Sequence, residues 1–435
     1  MGLPMESAAL LAMLVFVPTY LLISVRNLKF IVLERYAVVL FGAAMMVLLG
    51  VVTAMDALEA VDIDTLALLL GMMLMVVGLE LCGFFDQVAI QMIKRSRTRI
   101  RLLAIEMGVT AVLSALILND TVVLLFTPIV VKTCLAIRSD PVPYLIGEAV
   151  AANIGSVATP VGNPQNAFIA VRSGLTFNTF FVELAPVAVV SLIIAILIVF
   201  LLFRKEFVNA GCCGIGLRDG KLIDCQMALK DLCGKKMNKT VYVVLSILTL
   251  VLVGFVLSSE IGLPLSVIAI VGGSAVLFLL PLFNHEVTAG TIVRKVDWTL
   301  LLFFIGLFVL LRGVSESGLL DEMMSLFQCL TGDGLDDIVG LTIFSALLSN
   351  LVSNVPAVML LSPFVSNLSS GDLWLALAAS STLAGNATIL GAAANVIVVE
   401  KANAEGVEIG LKDFMRAGVP ITFLTLMISV LFLGL

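Results

Sequence analysis

The sequence predicts an all-α polytopic membrane protein made of two inverted-topology repeats. The expected layout is about ten transmembrane helices plus two re-entrant hairpins and two broken helices. Of the 435 residues, 60% are hydrophobic and only 13% charged, against about 25% charged in soluble domains. Apolar runs of about 20 residues recur from end to end, and the ~10-residue alternating segments of a β-barrel are not seen. The second half also repeats the landmarks of the first. Gly71, Gly78, Gly83, Asp86, Asn119, Thr127 and Pro128 return 235 positions later as Gly306, Gly313, Gly318, Asp321, Asn354, Ser362 and Pro363.

Taken in order, the spans fall at 5–25, 36–54 and 63–83. The first has only Glu6 ahead of it, with no basic n-region, and reads as a retained helix rather than a signal peptide. A basic amphipathic link, 84–101, leads to a hairpin at 102–137, a broken segment at 144–173 and a span at 180–203. These make up the first repeat, 1–203. A polar loop at 204–239 separates it from the second repeat, 240–435. There the spans are 240–258, 264–283 and 298–316, followed by an acidic link at 319–336, a hairpin at 338–368, a broken segment at 374–402 and a span at 416–435.

Charge sets the orientation, because loops rich in Lys and Arg stay cytoplasmic. The 84–101 link carries Lys94, Arg95, Arg97, Arg99 and Arg101, whereas its repeat partner carries Asp321, Glu322, Asp333 and Asp336. Arg26, Lys29 and Arg35 face a partner loop whose charge is Glu260, and acidic Asp56, Glu59 and Asp62 face a loop with Arg294 and Lys295. The halves are therefore expected to lie in opposite senses. The topology closes only if both hairpins are re-entrant, which puts loop 204–239 in the cytoplasm and both termini outside an inner (plasma) membrane.

Two pairs of polar breaks carry the candidate chemistry. Asn119, Asp120 and Thr121 interrupt one apolar run, and Ser353 and Asn354 interrupt its repeat. An aspartate at bilayer depth costs roughly 2.5–3.5 kcal/mol and is by default functional. The free N–H and C=O groups at a half-helix end need an ion, water or substrate there. The run Ala152–Ala167, with three Asn, two Pro and two Gly residues, cannot continue as a regular helix. Its repeat matches Thr159, Gly162 and Asn166 to Thr388, Gly391 and Asn395, so the offset falls to 229. Asn163 and Asn386 belong to the same breaks. Carbonyls, hydroxyls and amides are ligands for hard cations. If Na⁺ is bound, Asn119, Gly162, Asn354 and Gly391 are its candidate ligands.

These motifs resemble the citrate-transporter-like ion transporter superfamily, over nearly the whole chain. That group includes divalent-anion/sodium symporters, arsenite-pump membrane subunits and NhaD-type sodium/proton antiporters. Asn-Asp-Thr at 119–121, Ser-Asn-Val-Pro at 353–356 and the run Gly385–Asn395 are most similar to the arsenite and NhaD branch. The dicarboxylate symporters carry Ser-Asn-Thr at both tips, and Asp120 would repel a carboxylate substrate. The resemblance implies elevator-like alternating access and homodimers, and a soluble ATPase partner if the chain is an arsenite pump.

Other signals are weaker. Cys212, Cys213, Cys225 and Cys233 fit no familiar zinc spacing. Gly216–Lys221 fails as a P-loop, and His285-Glu286 has no second histidine at 289. Glu80 and Arg312 are further intramembrane charges, and Glu148 is placed at the opening of the first broken helix, where a carboxylate suits the helix dipole. The net charge of −6 gives no reason to expect nucleic acid.

The expectation is an H⁺- or Na⁺-coupled secondary transporter of a small solute, arsenite or another oxyanion leading, with no other cofactor. Na⁺/H⁺ antiport comes second and di- or tricarboxylate symport third. A channel is the alternative from another class, and no enzyme constellation is present. Asp120 is the expected coupling residue.

Overall fold

Apolar periodicity, cut by polar or Pro/Gly breaks, is realised as a chain of helices. The computed structural model describes residues 5–24, 34–96, 98–208, 239–319, 322, 325, 337–368 and 370–434. Arg26, Lys29, Arg97, the four loop cysteines, Lys235, Lys236, Asp321, Asp333 and Asp336 lie outside the described residues. All regular elements among the described residues are helical.

The first half runs α1 (Met5–Ser24), α2 (Arg35–Leu48), α3 (Ala54–Glu59), α4 (Ile63–Leu81), α5 (Phe84–Arg95), α6 (Arg99–Leu116), α7 (Asn119–Ala136), α8 (Val142–Val157), α9 (Pro164–Ser173), α10 (Phe177–Leu202) and α11 (Arg204–Val208). The second runs α12 (Val241–Val256), α13 (Ser258–Ile261), α14 (Leu265–Phe283), α15 (Ala289–Lys295), α16 (Trp298–Glu316), α17 (Ile338–Val352), α18 (Asn354–Leu368), α19 (Gly371–Ala384), α20 (Ala393–Ala404) and α21 (Leu411–Leu433). Among the described residues, six helices are long and apolar enough to cross a membrane, and six more are shorter but apolar.

Caps explain many of the boundaries. Asp62 accepts from the Thr65 amide, and Asp297, its counterpart 235 residues on, accepts from Thr299 and Leu300. A side-chain acceptor for the first free N–H groups is what starts a helix there. The expected span 36–54 is shorter than anticipated. It stops at Leu48, and the Thr53 hydroxyl caps the separate helix α3. Glu148 is also misplaced in the sequence reading. Because α8 begins at Val142, Glu148 sits almost two turns inside the helix, beyond reach of the N-terminal dipole.

Helices from the two halves interleave. Helix α4 packs on α14, and α2 packs on α16; the 235 offset matches α2 to α14 and α4 to α16, so the two contacts are repeat images of one another. The α4–α14 crossing is a backbone contact. A Cβ on Gly71 would lie 2.3 Å from the Ala269 carbonyl, so only glycine fits there. Large apolar side chains such as Phe41, Leu250, Phe278 and Leu351 remain exposed. In a helical bundle of this composition, exposed apolar faces are the surface that meets lipid.

Arg99 ties the two arms of the first hairpin together at their open end. Its guanidinium donates to the carbonyls of Ile137 (3.4 Å) and Arg138 (3.0 Å). The arms thus start and finish at one end of the bundle, with Ile117 and Leu118 at the tip. In the second hairpin the tip is Ser353, held at φ 78°, a conformation that costs a non-glycine residue of order 1–3 kcal/mol.

Candidate functional site

The two tips and the two broken segments converge. Asn119 opens α7, and its amide N–H donates to the Gly162 carbonyl at 2.9 Å. At the other tip, Asn354 sits with its amide nitrogen toward the carbonyls of Ser381 (3.0 Å) and Gly391 (2.9 Å), its oxygen accepting from Gln165 Nε2 (3.3 Å). Each tip asparagine therefore bonds the glycine carbonyl of its own half's break.

The breaks are braced alike. Asn166 Nδ2 donates to the carbonyls of Ser156 (3.0 Å) and Thr159 (3.2 Å). Asn395 Nδ2 donates to Gly385 (2.7 Å) and Thr388 (2.9 Å), the same positions shifted by 229. An unwound backbone leaves carbonyls without helical partners, and these amides satisfy them. Thr159 Oγ1 donates to the Ala115 carbonyl at 2.5 Å, and Thr388 Oγ1 to Asn350 Oδ1 at 3.4 Å. Close approach completes the geometry: a Cβ on Gly162 would stand 2.4 Å from the Ser156 carbonyl, and one on Gly391 would stand 2.7 Å from that of Gly385.

The residue that joins everything is Asn153, which sequence reasoning left out of the candidate set. Its Nδ2 donates to Asn386 Oδ1 and Asn395 Oδ1, both at 2.9 Å, and its Oδ1 accepts from Asn119 Nδ2 at 3.3 Å. One buried amide thus links the first tip to the second half's break. Asn163 reaches across as well, donating to Ser156 Oγ (3.0 Å) and Thr382 Oγ1 (3.3 Å). Asn153 lies inside the polar run 152–167, so its residue type is legible in the sequence. Its cross-half partners are not, because they are fixed by tertiary packing.

Between the tips lies a cavity of about 240 Å³. Its lining includes Asn119, Asp120, Ser353 and Asn354 from the tips, and Pro164 and Gln165 from α9. The facing wall carries Glu34, Arg35 and Asp297. Three carboxylates thus stand against one guanidinium. Thr159, Gly162, Asn163, Asn166, Asn386, Thr388, Gly391 and Asn395 build the frame behind this cavity and do not line it; Thr121, half-buried on α7, does not line it either. Ser114 and Ser349, related by the 235 offset, both carry buried hydroxyls with no hydrogen-bond partner. Among the described residues, no group of three His, Cys, Asp or Glu side chains could hold a metal.

Glu80 and Arg312, the two further charges singled out in the sequence, are paired away from the cavity. Glu80 is bonded by Lys295, and Arg312 Nε donates to Glu316 at 2.7 Å.

A helical bundle with paired polar breaks around a small cavity is a membrane transporter architecture. The chain belongs to the citrate transporter family (CitMHS), whose model matches residues 20–378. A transporter of Mycobacterium tuberculosis is 31% identical over 98% of both chains. The putative transporter arsB of Dictyostelium discoideum is 27% identical, covering 90% of this chain and 85% of its own. The silicon efflux transporter LSI3 of Oryza sativa subsp. japonica is 28% identical, covering 86% and 87%. In fold, the chain is similar to the YdaH transporter of Alcanivorax borkumensis, with a TM-score of 0.53 at 14% identity over 99% and 97% of the two chains. The protein is an integral membrane secondary transporter.

Proposed function

We propose that this protein moves a small inorganic oxyacid of the arsenite class by alternating access, coupled to H⁺ or Na⁺. The observation that carries the reading is the cavity between the two tips. Its size suits a solute of a few heavy atoms, and its three carboxylates disfavour a multiply charged anion. Arsenous and silicic acids are weak acids, neutral near pH 7, and offer hydroxyls to Asn119, Gln165, Ser353 and Asn354. The names of the Dictyostelium and rice relatives point the same way. The carboxylate-rich lining also favours a cation, so Na⁺/H⁺ antiport is the second reading.

The proposal includes two inverted repeats with re-entrant hairpins and a cytoplasmic 204–239 loop. Several contacts support it, each joining ends that the charge pattern assigns to one side. Arg99 bonds the Glu206 carbonyl, Lys132 pairs with Glu405, and Lys295 pairs with Glu80. On the opposite side, Asn178 bonds Val256 and Asp64 bonds Ser266. Glu34, Arg35 and Asp297 stand at helix ends assigned to the cytoplasm, which makes the cavity inward-facing. Elevator-like movement and a homodimer complete the reading.

The test uses purified protein in proteoliposomes, with arsenite, silicic acid, citrate and Na⁺ as probes under imposed H⁺ and Na⁺ gradients. Arsenite or silicic acid flux driven by one gradient is expected. Asp120→Asn should remove or uncouple that flux while leaving thermal unfolding unchanged. Citrate flux alone, or wild-type coupling in Asp120→Asn, overturns the assignment.

A further inference from the structure

We propose that Glu106 and Glu148 form a proton-binding pair inside the first half, set apart from the cavity, that carries the coupling proton. The inference rests on the transporter reading and narrows its coupling ion to H⁺, with this pair holding the proton and Asp120, which lines the cavity, linking its uptake to the solute. Among the described residues, these are the only charged side chains that are fully buried, both at 0% exposure. They sit on α6 and α8, which pack so closely that a Cβ on Gly147 would touch Met107 and Leu103. The two carboxyls act on one another electrostatically. Each has one oxygen held by a threonine: Thr110 Oγ1 donates to Glu106 Oε1 at 3.4 Å, and Thr127 Oγ1 to Glu148 Oε1 at 3.1 Å. Each has its other oxygen, Oε2, buried with no partner.

Two neighbouring carboxylates, both fully buried and paired with no basic side chain, do not both hold a charge, because desolvation and mutual repulsion add. No ion pair among the described residues reaches either one. Cys134 on α7 lies in electrostatic reach of both carboxyls and Tyr144 on α8 in reach of Glu106; Arg99 and Asp140, toward the bundle end, act on Cys134, and Arg99 also on Tyr144. The other helices packed on α6 or α8, namely α5, α10, α19, α20 and α21, bring no buried charge. A proton is the ligand that fits. Uptake forms an O–H bond at one Oε2 with a proton delivered from water. Release breaks that bond and returns the proton to water, leaving one negative charge on the pair.

The repeat shows that packing does not require these acids. The second half has Leu341 and Leu377 at the matching positions. Thr127 likewise differs from its counterpart, since Ser362 Oγ bonds only its own helix at Met359. The pair is also placed to act on the site. Glu148 shares α8 with Asn153, and through Thr127 it grips α7, the helix that Asn119 opens.

The experiment has two readouts. Infrared difference spectra of the purified protein, acid minus alkaline, should show a protonated carboxyl band that shifts in D₂O and vanishes in Glu106→Gln/Glu148→Gln. In proteoliposomes, each single Gln variant should lose at least tenfold of arsenite accumulation driven by a pH gradient, with thermal unfolding unchanged. If a Gln variant fails to fold, Glu106→Leu and Glu148→Leu, the residues the second half uses, replace it. No such band, or variants with the wild-type response to the gradient, overturns the proposal. If the wild type moves none of the probes, the transport reading fails by itself, and the infrared band still decides whether the pair binds a proton.

Discussion

Asn153 shows how one side chain can hold a transporter's two halves in register. Its amide faces two acceptors and one donor, and all three are buried asparagines. Asn153→Ala would strand Asn386 Oδ1, Asn395 Oδ1 and Asn119 Nδ2, although Asn395 keeps the bonds made by its own Nδ2. Each stranded buried group costs about 1–3 kcal/mol. The expected loss is therefore roughly 3 kcal/mol of stability, read by thermal unfolding in detergent, with flux falling below a tenth of wild type. Asn153→Ala protein with wild-type stability would show that the cross-half bonds contribute nothing. The contrast with Asp120 is instructive. Asp120 is conspicuous in the sequence because it is a charge in an apolar run. Asn153 is one of several asparagines in a polar run, and only the fold distinguishes it. Glu106 is hidden for another reason: it follows the basic stretch 94–101 closely and reads as part of that surface rather than as a buried acid.

At the level of elements, most boundaries could be read directly from the chain. Apolar runs bounded by Pro, Gly or a capping Asp end where helix propagation stops, so 298–316 matches α16 to the residue and the hairpin 338–368 begins with α17 and ends with α18 as expected. The breaks near Pro160 and Gly385 were readable for the same reason. What the chain does not disclose is how tightly each break is pressed against its neighbours. Gly162 must pass both the Ser156 and Ser114 carbonyls, the latter 2.8 Å from where a Cβ would stand. Gly162→Ala should push the break off the tip, loosening the Asn119 N–H bond to the Gly162 carbonyl and removing flux. Gly108→Ala is the control, because no atom lies within 4 Å of a Cβ at that position in α6. That change should raise helix stability by about 0.5–1 kcal/mol. If the two alanine variants behave alike in flux and thermal unfolding, the close-approach account of the break is wrong.

For the whole molecule, what matters is how the two halves relate. Interleaved packing of α4 on α14 and α2 on α16, repeat-matched caps at Asp62 and Asp297, and repeat-matched braces at Asn166 and Asn395 all fit a two-fold relation. A two-fold axis in the membrane plane turns each loop of one half to the opposite face from its counterpart. A parallel repeat would leave the counterparts on the same face. Glu59 and Arg294 are matched by the 235 offset, and both are exposed, so they separate the two arrangements. In a background whose native cysteines are replaced, Glu59→Cys should react with a membrane-impermeant maleimide added outside intact cells. Arg294→Cys should react only after permeabilisation. Labelling of both from one side would exclude the inverted repeat. The cavity could not then be assigned to the cytoplasmic face, because that assignment depends on which side Arg35 and Asp297 occupy.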